Sequence, residues 1–316
     1  EDDILLNKVD SLAAMNTSDA EVGDIRIKSA KSIYGLDKTA TADTVHVGGV
    51  NVLLEAGSGT IGEGSKEKAD EKKHSEKIVL STKRAVTARS GQRMNLEHTG
   101  KLFVDSLYTP GHMDVSAKNG VQLAYQSDGN TSIVAGSLDM QNTAGNTAAA
   151  VPTTGGTVPT TMAGAPAAGE DTIGTKENPL TLYTGDGAKA QSNTDIYLKG
   201  SASGLSLDTV DAGSHKVIID GNQGDVLSNG ADKKADIIVK EVSITNAANI
   251  GIRDTRIPTV DAAGKTTYSI TKAGTPVKIA TDSVLAEATG DINLLSVAAA
   301  SEKEPSYAPK SVIKVQ

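Results

Sequence analysis

Four aspartates and two arginines come closest to a catalytic set: Asp208, Asp211, Asp220 and Asp225, with Arg253 and Arg256. On an extended polysaccharide such residues could work in two ways. Converging carboxylates could hold Ca²⁺ while a basic residue abstracts a proton, or an acid and a base about 6.5 to 9.5 Å apart could hydrolyse with inversion. The spacing argues against both. In a unit of about twenty residues Asp211 and Asp225 do not fall one above the other. Asp220 stands beside a glycine and Asp225 between a glycine and an aliphatic run, where a carboxylate bonds the backbone of a turn. They read as corner residues.

The remaining chemistry is thinner. The five histidines (His46, His74, His98, His112, His215) have no i, i+4 pair and no HExxH-like spacing, so they make no metal set. Asp186-Gly187 and Asp220-Gly221-Asn222 resemble pieces of oxygen-ligand loops, but neither completes a Ca²⁺ motif. Gly57-Ser58-Gly59 reads as a turn rather than a nucleophile elbow, and no glycine-rich phosphate loop opens a helix. No catalytic, cofactor-binding or metal residue is assigned, and the chain is expected not to be an enzyme.

Composition points the same way. Aromatic residues make up 3% of the chain, with one Phe and no Trp, against 32 Gly. Compact enzymes use aromatics to fill irregular cores, whereas stacked Val, Ile and Leu need few. The formal net charge is -8, which argues against a nucleic-acid partner. Cysteine is absent, as suits an exported chain that needs no oxidative step and equally a cytosolic protein. No apolar run reaches the length of a membrane-spanning helix, and Glu1 to Asn16 lacks the basic and apolar regions of a signal peptide.

The elements that must position these residues are strands. Short bursts such as Leu180-Thr181-Leu182, Ile196-Tyr197-Leu198 and Val217-Ile218-Ile219 are separated by Gly, Asp, Asn or Ser. None is long enough for an amphipathic helix. The spans Lys77 to Arg93, Met94 to Gly111 and His112 to Asn130 each hold two strands, as do Asp195 to His215, Lys216 to Ala235 and Asp236 to Thr255. Units of about twenty residues fit one coil of a β-solenoid. Corner words recur with them: Asp precedes a strand at Ile25, Ile196, Val226, Ile237 and Ile292, and Gly follows Asn or Asp at Gly120, Gly129 and Gly230. Two-residue hairpins are the rival explanation. Similarity at a lag of one unit, and strands aliphatic at successive positions, favour the solenoid.

The expected fold is therefore all-β, a β-solenoid with coils of about 20 residues and irregular loop excursions. Residues 1–22 form a lead-in or cap, with a short helix or irregular stretch over 3–15. A first lobe covers 23–141 and carries a solvated charged loop at 62–77. Residues 142–172, rich in Thr, Pro, Ala and Gly, are either an excursion from one continuous solenoid or a linker between two. A second lobe covers 173–300, and 301–316 is a tail or cap strand.

Ile173 to Gly230 resembles the repeat region of filamentous-haemagglutinin-like exoproteins, the large bacterial surface adhesins exported by two-partner secretion. The words that carry the likeness are I-G-T-x-x-N-P-L-x-L-x-T-G at Ile173 to Gly185, D-I-Y-L at Asp195 to Leu198, V-D-A-G-x-x-K-V-x-I at Val210 to Ile219, and G-D-V at Gly224 to Val226. G-D-I-R-I at Gly23 and L-L-E-A-G-S-G-T-I-G at Leu53 to Gly62 look like further copies. The resemblance implies a right-handed parallel β-helix that forms a rigid shaft on the bacterial cell surface or outside the cell. It also implies partners among host or neighbouring-cell surface proteins and glycans. Open coil ends add end-to-end self-association into an extracellular fibre as an alternative. Because parallel β-helices also carry polysaccharide lyases and hydrolases, a polysaccharide-degrading enzyme is another.

Overall fold

Aliphatic bursts too short for helices must bury one face and satisfy their backbone elsewhere, and here they do both by pairing with the equivalent stretch one unit away. A computed structural model of the chain describes residues 3–6, 9–10, 23–36, 45–62, 74–125, 131–143, 171–229, 234–252, 255–260, 266–272 and 274–297. Among the described residues the chain is all-β, without a helix. Almost every pairing is parallel, and most strands belong to one sheet.

The register stacks like on like. Ile4, Ile33, Ile61, Met94, Met113, Leu138, Ala188 and Leu207 form one inward row, each paired with the next. Ile25, Val52, Val86, Val104 and Leu123 form a second. Val121, Ile173, Ile196, Val217, Val242 and Val284 form a third. Successive residues along a strand point to opposite faces, so the rows between these face outward. Strands Val52–Ala56 and Met94–His98 accordingly alternate buried with half-buried positions. Each fully buried Ile or Leu contributes about 1.5 to 3 kcal/mol. The successive aliphatics read in the sequence are a local matter: Val121–Leu123 and Val277–Ala280 are buried on both faces.

Not every unit is about twenty residues long. Met94 to Met113 and Ala188 to Leu207 keep that length, but other levels are longer because the chain leaves a strand and rejoins it. Three such exits share one construction. Ile61 pairs with Met94 and the strand resumes at Ile78, paired with Leu96. Ile173 pairs with Ile196 and resumes at Leu180, paired with Leu198. Ile250 pairs with Ile292 and resumes at Val277, paired with Leu294. In each the next residue is a glycine at positive φ: Gly62 at 72°, Gly174 at 67° and Gly251 at 69°. Their amides donate to the level below, to the oxygens of Ile33, Val121 and Val226 at 2.8, 2.7 and 2.8 Å. The preceding isoleucine carbonyls accept from the level above, from Asn95, Tyr197 and Asn293 at 2.8, 2.7 and 2.7 Å. The ladder is therefore unbroken at the residue where the chain turns away.

Two expectations need correction. Ile4–Leu6 and Val9–Asp10 are strands, not part of a helix. Ile4 and Leu6 face the core while Leu5 is exposed, a period of two that pairing with Ile33–Gly35 enforces. The unit counted from Asp236 to Thr255 does not close at its end. Instead Thr255–Val260 and Thr266–Lys272 form an antiparallel hairpin between the exit at Gly251 and the return at Val277. Thr267 to Ile270 thus belongs to that hairpin and not to a level of the stack.

The segment at 142–172 interrupts the sequence but not the ladders. Ile133–Asn142 pairs in register with Leu180–Thr184 and Ala188–Ser192 on its far side. Asn142 ties the two ends, donating from Nδ2 to the Asp171 carbonyl at 2.5 Å and to Ser192 Oγ at 3.0 Å. Residues 63–73, within the charged loop, and 144–170 lie outside the described residues, as does the tail at 301–316.

Candidate functional site

The strand-preceding aspartates share a task. Asp24 precedes Ile25, and its Oδ1 accepts from Asn51 Nδ2 at 2.8 Å and from the Asn51 amide at 3.3 Å. Asn51 is its counterpart one level on, and its own Oδ1 accepts from the Ala85 amide at 3.2 Å. Asp3 accepts from the Ser32 amide at 2.9 Å, and Ser32 Oγ from the Thr60 amide at 3.1 Å. Asp195 accepts from the Lys216 amide at 3.0 Å. Asp236, fully buried, accepts from the Lys278 amide at 2.6 Å. These amides point along the stack just outside the ladder, and a side-chain acceptor satisfies each.

The aspartates considered for catalysis are divided by the same logic. Asp225 accepts from Asn249 Nδ2 at 2.8 Å, and Asn249 Oδ1 accepts from the Asp291 amide at 2.8 Å. Asp211 Oδ1 accepts from the Gly213 amide at 2.9 Å, and burial pushes its carboxyl above the usual range. Asp220 Oδ1 accepts from the Asn222 amide and from Asn246 Nδ2, both at 2.8 Å. Asp208 faces outward, 3.6 Å from Lys189. Register sets Asp211 beside Ile238 and Asp220 beside Thr245, so these two do not converge. Arg253 lies outside the described residues, and Arg256 sits in the hairpin opposite Ile270.

The histidines also serve the ladders. His46 is buried and its Nδ1 accepts from the Val79 amide at 3.0 Å. Its ring lies over Gly35, where an added Cβ would meet ring atoms at 2.5 Å. His98 is buried, with the Thr82 amide 2.9 Å from Nε2 and the Gly100 amide 3.0 Å from Nδ1. Burial lowers its pKa to about 4. His112 is half-exposed between Asp114 and Ser137, and the Asp114 carboxylate raises its pKa. His215 is 3.7 Å from Asp195, and His74 pairs with Leu36 in a short antiparallel bridge. Among the described residues no three His, Asp or Glu are placed to hold a metal. The loop-like words at Asp186 and Asp220 are turns, with Gly187 at φ 109° and Asn222 at φ 52°.

Among the described residues, a concave site lies on the outer face. Lys176, Glu177, Asn178 and Pro179 leave the stack at Gly174 and wall a cavity of about 370 Å³ over Tyr197, Lys199, Ile218 and Asp220. Tyr197 stands beside Ile218, and Lys199 beside Asp220, on adjacent levels. The wall is braced by the Thr175 amide to the Asn178 carbonyl and by the Asn178 amide to Thr175 Oγ1, both 3.0 Å. The Tyr197 hydroxyl donates to Asp195 Oδ2 at 3.1 Å, which fixes the ring. Lys199 and Asp220 stay 3.9 Å apart at one end. An aromatic and aliphatic floor with a mixed-charge rim suits a small polar ligand carrying an apolar face. Only Asp220 of this group stood out in the sequence. Tyr197 and Ile218 looked like ordinary strand letters, and the available signal was the I-G exit before N-P. No family model, no curated protein and no solved structure matches the chain.

Proposed function

We propose that the chain is a right-handed parallel β-helix that serves as the rigid shaft of a secreted bacterial surface protein. In this reading it mediates adhesion to host or neighbouring cells. The observation that carries the reading is the unbroken in-register stacking of the inward rows while the chain leaves the strands at Ile61, Ile173 and Ile250. An architecture that admits insertions on its outside without disturbing its inside is suited to presenting binding loops at fixed heights. Adjacent levels are about 4.8 Å apart, so roughly ten levels make a rod on the order of 50 Å long.

A second reading, end-to-end assembly into a fibre, draws on the ends of the core. Ile4, Val9 and Ile27 near the first level, and Ala286, Ala288, Ile292 and Leu294 near the last, are only partly buried. Electron microscopy at micromolar concentration, paired with binding of coated beads to cell monolayers, distinguishes the readings. Discrete rods that confer cell binding support the shaft. Fibres that lengthen with concentration support assembly, and compact particles that bind no cells refute both.

A further inference from the structure

Among the described residues no aromatic side chain belongs to the main buried cluster, although Tyr197 is buried beneath the wall at Lys176 to Pro179. The inward rows are aliphatic, whereas Phe103 is half-buried on an outward row and Tyr108, Tyr125 and Tyr183 are exposed. Aromatics normally supply a large share of buried area. Placing them on the outside of a chain that has so few is a property of the surface.

Register aligns two of them. Arg89 pairs with Tyr108, Tyr108 with Val134, and Val134 with Tyr183, so the four make one outward row across four consecutive levels. Tyr108 is 37% and Tyr183 41% exposed. The Arg89 guanidinium lies over the Tyr108 ring, 4.9 Å from its centre, which holds that ring in place. On one flank Gly136 and Gly185, two residues beyond Val134 and Tyr183, carry no side chain, and Pro110 stands two beyond Tyr108. The other flank carries polar groups, among them Asp105, which accepts from Thr87 Oγ1 at 2.8 Å.

We infer that this row is a binding strip for a neutral β-linked polysaccharide chain lying along the stack. The two tyrosines are two levels apart, about 9.6 Å. That spacing is close to the repeat of two pyranose rings in an extended β-linked chain, so successive repeats meet successive rings. A strip one side chain wide is too narrow for the roughly 800 Å² per partner of a stable protein interface. Arg89 and Asp105 supply a donor fork and an acceptor for sugar hydroxyls. The net charge of -8 disfavours a polyanion. The inference rests on register and exposure, and it holds whether or not the chain is an adhesin.

Native gel electrophoresis with hydroxyethylcellulose in the matrix tests it, with alginate as the acidic polymer and a bare gel as reference. The protein is expected to be retarded by hydroxyethylcellulose and not by alginate. The double variant Tyr108→Ala/Tyr183→Ala should bind at least tenfold more weakly, while Tyr125→Ala binds as the parent does. If the double variant loses its cooperative melt, Arg89→Gln and Tyr183→Ser singly should each weaken retardation. Absence of retardation in hydroxyethylcellulose overturns the inference. So does equal retardation of folded double variant and parent, or stronger retardation by alginate. Failure here leaves rod formation and cell binding as separate measurements.

Discussion

A methyl group on Gly174 would lie 2.2 Å from the carbonyl oxygen of Tyr197. Gly174 also holds φ at 67°, so an L side chain there meets both a clash and a disfavoured backbone. Gly62 and Gly251 are in the same position against Asn95 and Asn293, at 2.8 and 2.4 Å. Gly174→Ala should therefore destabilise the stack by about 2 to 4 kcal/mol. Gly100→Ala, whose added carbon would meet only the His98 ring at 3.8 Å, should cost less than about 1 kcal/mol. Urea melts of the two variants beside the parent measure the difference, and equal midpoints would refute the exit geometry.

The corner relay predicts coupling between levels. Asn249 both donates to Asp225 and accepts from the Asp291 amide, so Asn249→Ala strands a carboxylate and an amide together. The expected cost is about 1 to 3 kcal/mol. Asp225→Ala should cost less, since the Asp291 amide keeps its acceptor. A double-mutant cycle between these positions should give a coupling of at least about 0.5 kcal/mol. Strict additivity would mean the relay contributes nothing to stability.

The corners and the strands were legible in the sequence for one physical reason: each is a local choice. An aliphatic burst is a strand candidate wherever it folds, and Asp before Ile25, Ile196 or Val226 marks a corner from its neighbours alone. Register is not local. That Ile61 and Ile78 belong to one level, separated by the charged residues between them, follows only from their partners Met94 and Leu96. The hairpin at Thr255–Lys272 was hidden likewise, because its strands carry the same β-forming letters as the stack. The cavity over Tyr197 depends on Lys176 to Pro179 returning across two later levels, which no spacing within Ile173 to Leu180 specifies.

His98 predicts the pH response. Its pKa falls from 6.5 to about 4 through burial, so the unfolded chain binds a proton more readily than the folded one between those values. The sign is fixed: stability is complete above pH 6.5 and is lost as pH falls towards 4, by about 3 kcal/mol in total. Asn142 occupies the same row two levels on and meets its neighbours with an amide that does not titrate. His98→Asn should thus lower stability at pH 7.5 yet flatten its decline between pH 6.5 and 4.5. Unfolding free energies of parent and variant across that interval check this, and parallel curves would exclude His98 as the source.

The bonds at Asn142 and the ladders on either side make the segment between them dispensable to the stack. Ile133–Asn142 meets Leu180–Thr184 and Ala188–Ser192 directly, and Asn142 already holds the Asp171 carbonyl. Removing residues 144–170 in favour of a four-residue Gly-Ser turn closes a shorter loop between anchored ends. Because closure cost grows only slowly with length, the entropic change should favour the shortened chain by no more than about 2 kcal/mol. A single cooperative melt within a few degrees of the parent is the expected result. If strands 23–141 and 173–300 instead belonged to separately folding lobes, the shortened chain would still melt, but in two transitions. A point substitution that weakens one side, such as Gly174→Ala, would then shift only one of them. In one continuous stack the same substitution must move the whole transition, since Val121 and Leu138 are paired to Ile173 and Ala188 across the junction.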